Sequence, residues 1–419
     1  MNFGNWIGLV AVFSFLFVSA SAWAGDDLLE VLRKNGTISQ DEYETLKTKQ
    51  NKSRREKVKK GLKRESPEGD FSIRVGGRLM VDGATYDDDK IDLGNGAELR
   101  QARIFIEGKI YKDWKYKLEI DFAGGEVSVK DAYIGYKGFD STFIQIGNFK
   151  EPFSLEELTS SKYITFMERA LPNVFAPGRN IGVGFITHGD NWTLAGGAFG
   201  EGVGGDPIDE GYGFSGRATF APWHEKTRAI HLGLSAAFRR PDSTSGLRYR
   251  ERPESHITGV RLVDTSTISA VYSHANFAAE AALVLGPVSL QGEYFLSHVN
   301  RIGAMQDLDF HGFYVYGSWF LTGESRKYSG KNGKFSRVKP KNNFGDGGVG
   351  AWEAAVRFSH IDLTDGPILG GEEDNITFGL NWHINPMLRF MVNVVLVNTN
   401  ADAGNDDPTV YQMRAQIDF

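Results

Sequence analysis

The sequence predicts an all-β protein: a 16-stranded antiparallel transmembrane β-barrel preceded by a short periplasmic helical segment. Three observations predict it. Apolar and polar residues alternate with period two through most of the chain after residue 70, the pattern of a sheet with one apolar and one polar face. Sixteen such segments are spaced roughly 22 residues apart, wider than the ~8–12 residues of soluble sandwiches. An apolar leader with a small-residue cleavage pattern precedes them and marks an exported chain. Composition agrees. There are 50 glycines in 419 residues, well above the usual ~7%, and a mean hydropathy of −0.31 excludes a multispanning helical membrane protein.

The leader is residues 1–24. Residues 7–20 form an apolar run, short against the ~20 residues of a helical span, and Ala22-Trp23-Ala24 follows. This reads as a signal peptide cut after Ala24; the competing reading is a membrane anchor. Residues 25–66 read as helical and basic. Asp26 and Asp27 can cap a helix carrying Leu28, Leu29, Val31 and Leu32, which Asn35-Gly36 ends. Ser39 and Glu42 form a capping box that starts a second helix with Tyr43 and Leu46. From Lys47 to Arg64 there are ten Lys/Arg and one acid, Glu56. Such a run is either a solvated face or linker, or a periplasmic module for oligomerisation or cell-wall contact.

The barrel spans 67–419. Phe71, Ile73, Val75, Leu79 and Val81 share one face, and Ser72, Arg74, Gly76 and Arg78 the other. Tyr116, Leu118, Ile120 and Phe122 oppose Lys115, Lys117, Glu119 and Asp121. At the end, Tyr411, Met413, Ala415, Ile417 and Phe419 oppose Gln412, Arg414, Gln416 and Asp418. The other segments fall at about 99–111, 127–137, 142–149, 181–188, 191–199, 212–220, 229–239, 277–285, 288–298, 311–322, 351–362, 374–384 and 387–398. An even count lets a meander close with both ends on one side. With the first strand running outward, the periplasmic connections are tight, as at 111–114, 188–191, 286–287 and 385–386. The outward ones, at about 84–98, 150–180, 200–211, 240–276, 299–310, 363–373 and 399–408, are long. Short inner turns and long outer loops are the asymmetry of outer-membrane barrels. Tryptophans and tyrosines near strand ends fit interfacial girdles or a soluble core equally well.

One periplasmic connection breaks the rule. Residues 323–350 hold Arg326, Lys327, Lys331, Lys334, Arg337, Lys339 and Lys341, with Glu324 the one acid between 324 and 341. Either this basic turn folds into the lumen, or it is a solvated loop that contacts cell wall or a partner.

The stretch from Gly147 to Pro172, GNFKEPFSLEELTSSKYITFMERALP, continued by Pro177-Gly178-Arg179, resembles the phosphate-selective porin O and P family. So do 131–136, 188–192, 289–294, 320–324, 379–382 and 414–419, so that the resemblance covers about 70–419. It implies a trimeric 16-stranded barrel in the bacterial outer membrane, contacting outer-membrane lipid. It also implies loops folded inward and a path for small anions, phosphate and polyphosphate, lined by Arg and Lys. Ser160, Ser161 and Arg169 look like the constriction, where hydroxyls and a guanidinium meet the anion. The 323–350 turn resembles the family's turn that rises into the lumen.

Parity supplies the rest of the path. Arg74, Arg78, Arg103, Lys109, Lys115, Lys117, Arg217, Arg239, Arg357, Arg389 and Arg414 fall on the polar face, with Arg414 expected near the periplasmic rim. Arg248, Arg250 and Arg252 alternate, so an extended loop sets them on one face about 6.5–7 Å apart. Arg offers oxyanions a planar donor fork, and Lys a point charge. The plainer reading balances these cations against Glu107, Glu119, Asp121 and Glu353 across the lumen. Glu156 and Glu157, beside the serines, would reduce selectivity and point to general anion preference rather than strict phosphate preference. Non-selective, structural or adhesive barrels remain the alternatives.

Other classes are excluded. There is no cysteine, which removes disulfides, thiolate metal sites and cysteine nucleophiles. No HExxH or Gly-x-Ser-x-Gly is present, and the 9 histidines are scattered, so no enzyme, metal or cofactor is expected. His231 and Ser235 lie four apart but face inward by parity. A net charge of −6 predicts no nucleic-acid partner.

Overall fold

A computed structural model describes residues 29–47, 62–205, 211–242, 246–400 and 405–419. The leader 1–24, the caps Asp26 and Asp27, and most of the basic run 47–64 lie outside the described residues. The chain divides into two units, Met1–Leu62 and Lys63–Phe419. In the first, residues 29–34 and 40–47 are helical, and Gly36 ends the first helix with φ 69°. The capping box is formed: the Ser39 N–H donates to Glu42 Oε2 at 2.8 Å, and the Glu42 N–H to Ser39 Oγ at 3.2 Å.

The second unit is a closed barrel of sixteen antiparallel strands. They are β1 Ser72–Asp87, β2 Gly96–Ile110, β3 Trp114–Asp121, β4 Ser128–Tyr136, β5 Thr142–Lys150, β6 Arg179–His188, β7 Trp192–Phe199 and β8 Tyr212–His224. β9 Arg228–Arg240, β10 Val271–Leu285, β11 Val288–Arg301, β12 Leu308–Phe320, β13 Ala351–Asp365, β14 Ile368–His383, β15 Leu388–Asn400 and β16 Thr409–Asp418 complete it. Each pairs with the next, and β16 closes on β1 from Arg78↔Asp418 to Asp87↔Thr409. Ile73, Leu79, Ile104, Leu118, Ile146, Leu234 and Met413 are exposed on the outer face, while Met80, Asp82, Gln101, Glu119, Arg217 and Arg414 are buried inside. This inversion of a soluble core is what a lipid solvent demands. The end-of-strand aromatics are girdle residues. Trp114 packs on Tyr136 at 5.1 Å, and Trp352 stacks on Trp382 at 5.2 Å, with Trp114, Trp192 and Trp319 all exposed outward.

Two local departures from the expected pattern matter. The connection at 363–373 is not a long loop. β13 and β14 pair up to Asp365↔Ile368, leaving a two-residue turn in which Gly366 takes φ 52°, a left-handed conformation that glycine adopts without steric cost. In β2, the register slips between Met80↔Gln101 and Val81↔Leu99. Arg100 is the extra residue, and this β-bulge turns it inward beside Gln101.

Three connections fill much of the lumen. The inner loop 151–178 holds a short helix, Leu155–Leu158. The overlying loop 241–270 and the floor turn 321–350 each contribute a two-stranded ribbon, Arg250–Glu251 with Val263–Asp264 and Lys327–Ser329 with Lys334–Ser336. Phe153, Phe166 and Phe175 of the inner loop pack with Tyr249, Val263 and Ile268 of the overlying loop against Phe295, Phe310 and Ile361 of the wall. Phe335 of the floor turn packs on Leu155, Ala229, Ala282 and Val284. The floor turn therefore folds up into the barrel.

Candidate functional site

The inner loop crosses the lumen and lies along the wall of longer strands. Main-chain groups hold it there. Leu155 N–H and Glu156 N–H donate to the Glu293 carboxylate at 2.8 and 2.7 Å, Leu171 N–H to Ser359 Oγ at 3.0 Å, and Met167 N–H to Asn393 Oδ1 at 2.8 Å. Arg389 donates to Ile164 O at 2.9 Å, and Gln416 to Lys162 O at 3.1 Å. The open space is left against β1 and β3–β8, where the strands are mostly short.

That space is a cleft of about 350 Å³ lined by both wall and loops. Its charged lining is Arg78, Lys117, Lys150, Arg179, Arg217 and Lys334 against Glu119 and Asp131, six cations to two carboxylates. The carboxylates are shared. Glu119 meets Arg78 at 2.9 Å, Lys117 at 2.7 Å and Arg103 at 3.4 Å. Asp131 meets Lys117 at 2.5 Å and Arg179 at 2.7 Å. Sharing fixes the cations in place, and even with Glu157 on Lys150 and Glu280 on Arg217 behind the lining, six cations against four carboxylates leave positive charge in excess.

The predicted constriction residues separate. Ser160 and Ser161 do face a guanidinium, that of Arg78, whose Nη1 donates to Ser161 Oγ at 3.0 Å and lies 3.5 Å from Ser160 Oγ. Arg169 is placed differently from expectation. It donates to the carbonyls of Glu156, Glu157 and Thr159, each at 3.2 Å, and pairs with Glu157 at 3.2 Å. It braces the short helix from behind, outside the cleft lining. The concern over Glu156 and Glu157 is met by the same geometry. Both are buried. Glu156 accepts from Ala170 N–H at 3.1 Å and lies 3.6 Å from Arg357, and Glu157 meets Lys150 at 2.5 Å. Burial raises the Glu157 pKa, but Arg169 and Lys150 overcome it and hold the carboxyl at about 2.

The wall cations divide likewise. Arg74 pairs with Glu107 at 2.8 Å, and Arg103 with Asp121 at 2.7 Å. Lys115 lies over the Phe143 ring at 5.6 Å, and Lys109 reaches Gly69 O at 3.1 Å. Arg217 pairs with Glu280 and donates to Gly333 O at 2.7 Å. Arg239 pairs with Glu151. Arg357 meets Glu254 at 2.5 Å and Glu168 O at 3.1 Å. Arg414 is not a rim residue. It grips Asp82 at 2.7 and 2.6 Å, Met167 O at 2.6 Å and Glu168 at 2.7 Å. Of the loop arginines, Arg248 is held by Asp264 at 2.7 and 2.5 Å. Arg248 and Arg250 are exposed and Arg252 is half-buried, with Tyr249 buried behind them, so the three do not stand as equal steps.

In the floor turn, Lys334 lines the cleft. Burial, with Arg217 nearby, lowers its pKa to about 8. Arg326 is buried, donating to Gln291 at 3.0 Å over the Phe335 ring. Arg337 donates to Asp418 and to Pro386 O. Lys327, Lys331, Lys339 and Lys341 are exposed. The sequence reading missed Arg100, which forks onto Glu168 at 2.9 Å through two nitrogens, because parity aims it outward. It also missed Lys150, Lys162 and Arg179 as lumen cations, although Arg179 ends the Pro-Gly-Arg match.

The comparisons agree with this geometry. The chain is 28% identical to Porin O of Pseudomonas aeruginosa over 99% of both chains. It is 33% identical to an uncharacterized protein of Caulobacter vibrioides, over 79% of this chain and 69% of that one. In fold it is similar to OmpT of Vibrio cholerae (TM-score 0.55, 10% identity, 85% of this chain and 100% of that chain). An anion-selective porin from Comamonas acidovorans is also similar (TM-score 0.53, 11% identity, 83% of this chain and 100% of that chain). The family model for phosphate-selective porin O and P matches residues 73–419, and the chain belongs to that family.

Proposed function

We propose that the cleft is the ion path of this outer-membrane porin and that it passes small anions, phosphate and polyphosphate among them. Six cations against two carboxylates in the cleft lining carry the reading. Arg78 and the two serines supply donors at the narrow point, and Lys117, Arg179, Arg217 and Lys334 spread positive charge along the route. Serial weak contacts suit a diffusive pore, since a single deep well would retain the ion. Family membership makes the protein a channel rather than an enzyme.

The working unit is a homotrimer, as one of the OmpT structures is described. Residues 1–24 are the leader, cut after Ala24, and 25–66 is a periplasmic segment whose basic run is suited to an anionic partner such as cell wall. The test is the reversal potential of single channels in a KCl gradient, with phosphate added to block the chloride current. A chloride-preferring sign with block supports the proposal. A cation-preferring sign overturns it, and an absence of channels favours a structural or adhesive barrel.

A further inference from the structure

Three cations of the lumen converge on one aromatic ring. Phe105 lies on the inner face of β2 and is 4% exposed. The Arg74 guanidinium lies 4.7 Å from its centroid, the Lys117 ammonium 5.6 Å and the Lys162 ammonium 6.0 Å. A ring face is the negative end of the aromatic quadrupole and attracts cations within about 6 Å. The ring can lie there because its cross-strand neighbour is Gly76. A Cβ at Gly76 would stand 2.4 Å from Phe105 Cζ.

The nearby carboxylates cannot do the same work. Arg74 has Glu107 to itself at 2.8 Å, but Glu119 already serves three cations, Asp131 two, and Asp418 serves both Lys162, at 3.3 Å, and Arg337. Any further carboxylate here would cancel the charge that draws anions. The ring holds cations at fixed positions and carries no net charge of its own. Lys162 follows Ser160 and Ser161, so its placement bears on the narrow point directly.

We propose that Phe105 is a positioning residue for anion preference, its ring face holding Lys117 and Lys162, whose carboxylates are shared with other cations, toward the lumen without adding negative charge. This rests on the anion-channel reading above. The test replaces Phe105 with 3,5-difluorophenylalanine. Fluorination draws electron density from the ring face and leaves the para carbon, the ring atom nearest Gly76, unchanged, while one meta carbon also lies close to that glycine. The chloride-to-potassium permeability ratio should fall about two- to fivefold, and further in Phe105→Leu, which fills the site without a ring. Heat-modifiable mobility in SDS confirms that both variants are folded. An unchanged ratio in the difluoro protein, with an anion-preferring wild type, overturns the role of Phe105 alone. A cation-preferring wild type overturns the channel reading and this role together.

Discussion

Arg78, Arg169 and Arg414 have the same side chain and three different tasks. Arg78 faces the serines and the open cleft, so Arg78→Ala should weaken phosphate block of the chloride current on the order of tenfold, the loss of a charge-assisted donor fork. Arg169 closes the helix Leu155–Leu158 on its own carbonyls. Its removal should cost loop order, seen as noisier open-channel current, with a smaller change in block. Arg414→Ala should not be silent, because it leaves Asp82 buried without its partner, while Glu168 keeps Arg100. A loss of about 3–5 kcal/mol is expected, read as a lower unfolding temperature of the detergent-solubilised protein. Titration adds a separate test. Burial lowers the Lys162 pKa, against the opposing pull of Asp418, to about 8, and Lys334 also lies at about 8, below the ordinary ~10.4. A base with a lowered pKa loses its charge earlier as pH rises. Anion preference should therefore be full near pH 6 and decline between pH 7 and 9. Lys334→Gln should flatten part of that decline.

At the scale of elements, the strands were legible and the contacts between inner segments were not. Period two comes from the alternation of side chains along a strand facing lipid on one side and water on the other. It therefore placed all sixteen segments, including the last one ending at Phe419. It failed where geometry depends on a partner strand. The bulge that turns Arg100 inward is a property of the β1–β2 pairing, and the hairpin at Gly366 arises because β13 and β14 keep pairing through polar residues that read as loop. The inner loop was recognisable as a motif, but which of its charged residues face the cleft depends on wall groups hundreds of residues away. The floor turn was suspicious from its charge alone, and its fold divides that charge: Lys334 lines the cleft, Arg326 and Arg337 anchor the turn, and Lys327, Lys331, Lys339 and Lys341 are exposed. Deleting 328–343 should raise single-channel conductance and lower the chloride-to-potassium ratio. Unchanged channels would mean that the turn takes no part in permeation.

For the whole molecule, the expectation is a heat-modifiable trimer, rich in β-structure by far-ultraviolet circular dichroism. A chain soluble without detergent would contradict it. The last strand has a consequence for how such a molecule comes together. Four successive inward residues of β16 each hold a lumen segment. Gln412 donates to Glu254 O at 2.9 Å, Arg414 to Met167 O and Glu168, Gln416 to Lys162 O, and Asp418 pairs with Lys162 and Arg337. The overlying loop, the inner loop and the floor turn are thus all tied to the strand whose pairing with β1 closes the ring. Closure of the ring therefore completes the fastening of segments that other wall strands already hold in part. A barrel arrested one strand short during insertion would be open at its seam and would lack one tether on each of its three inner segments at once.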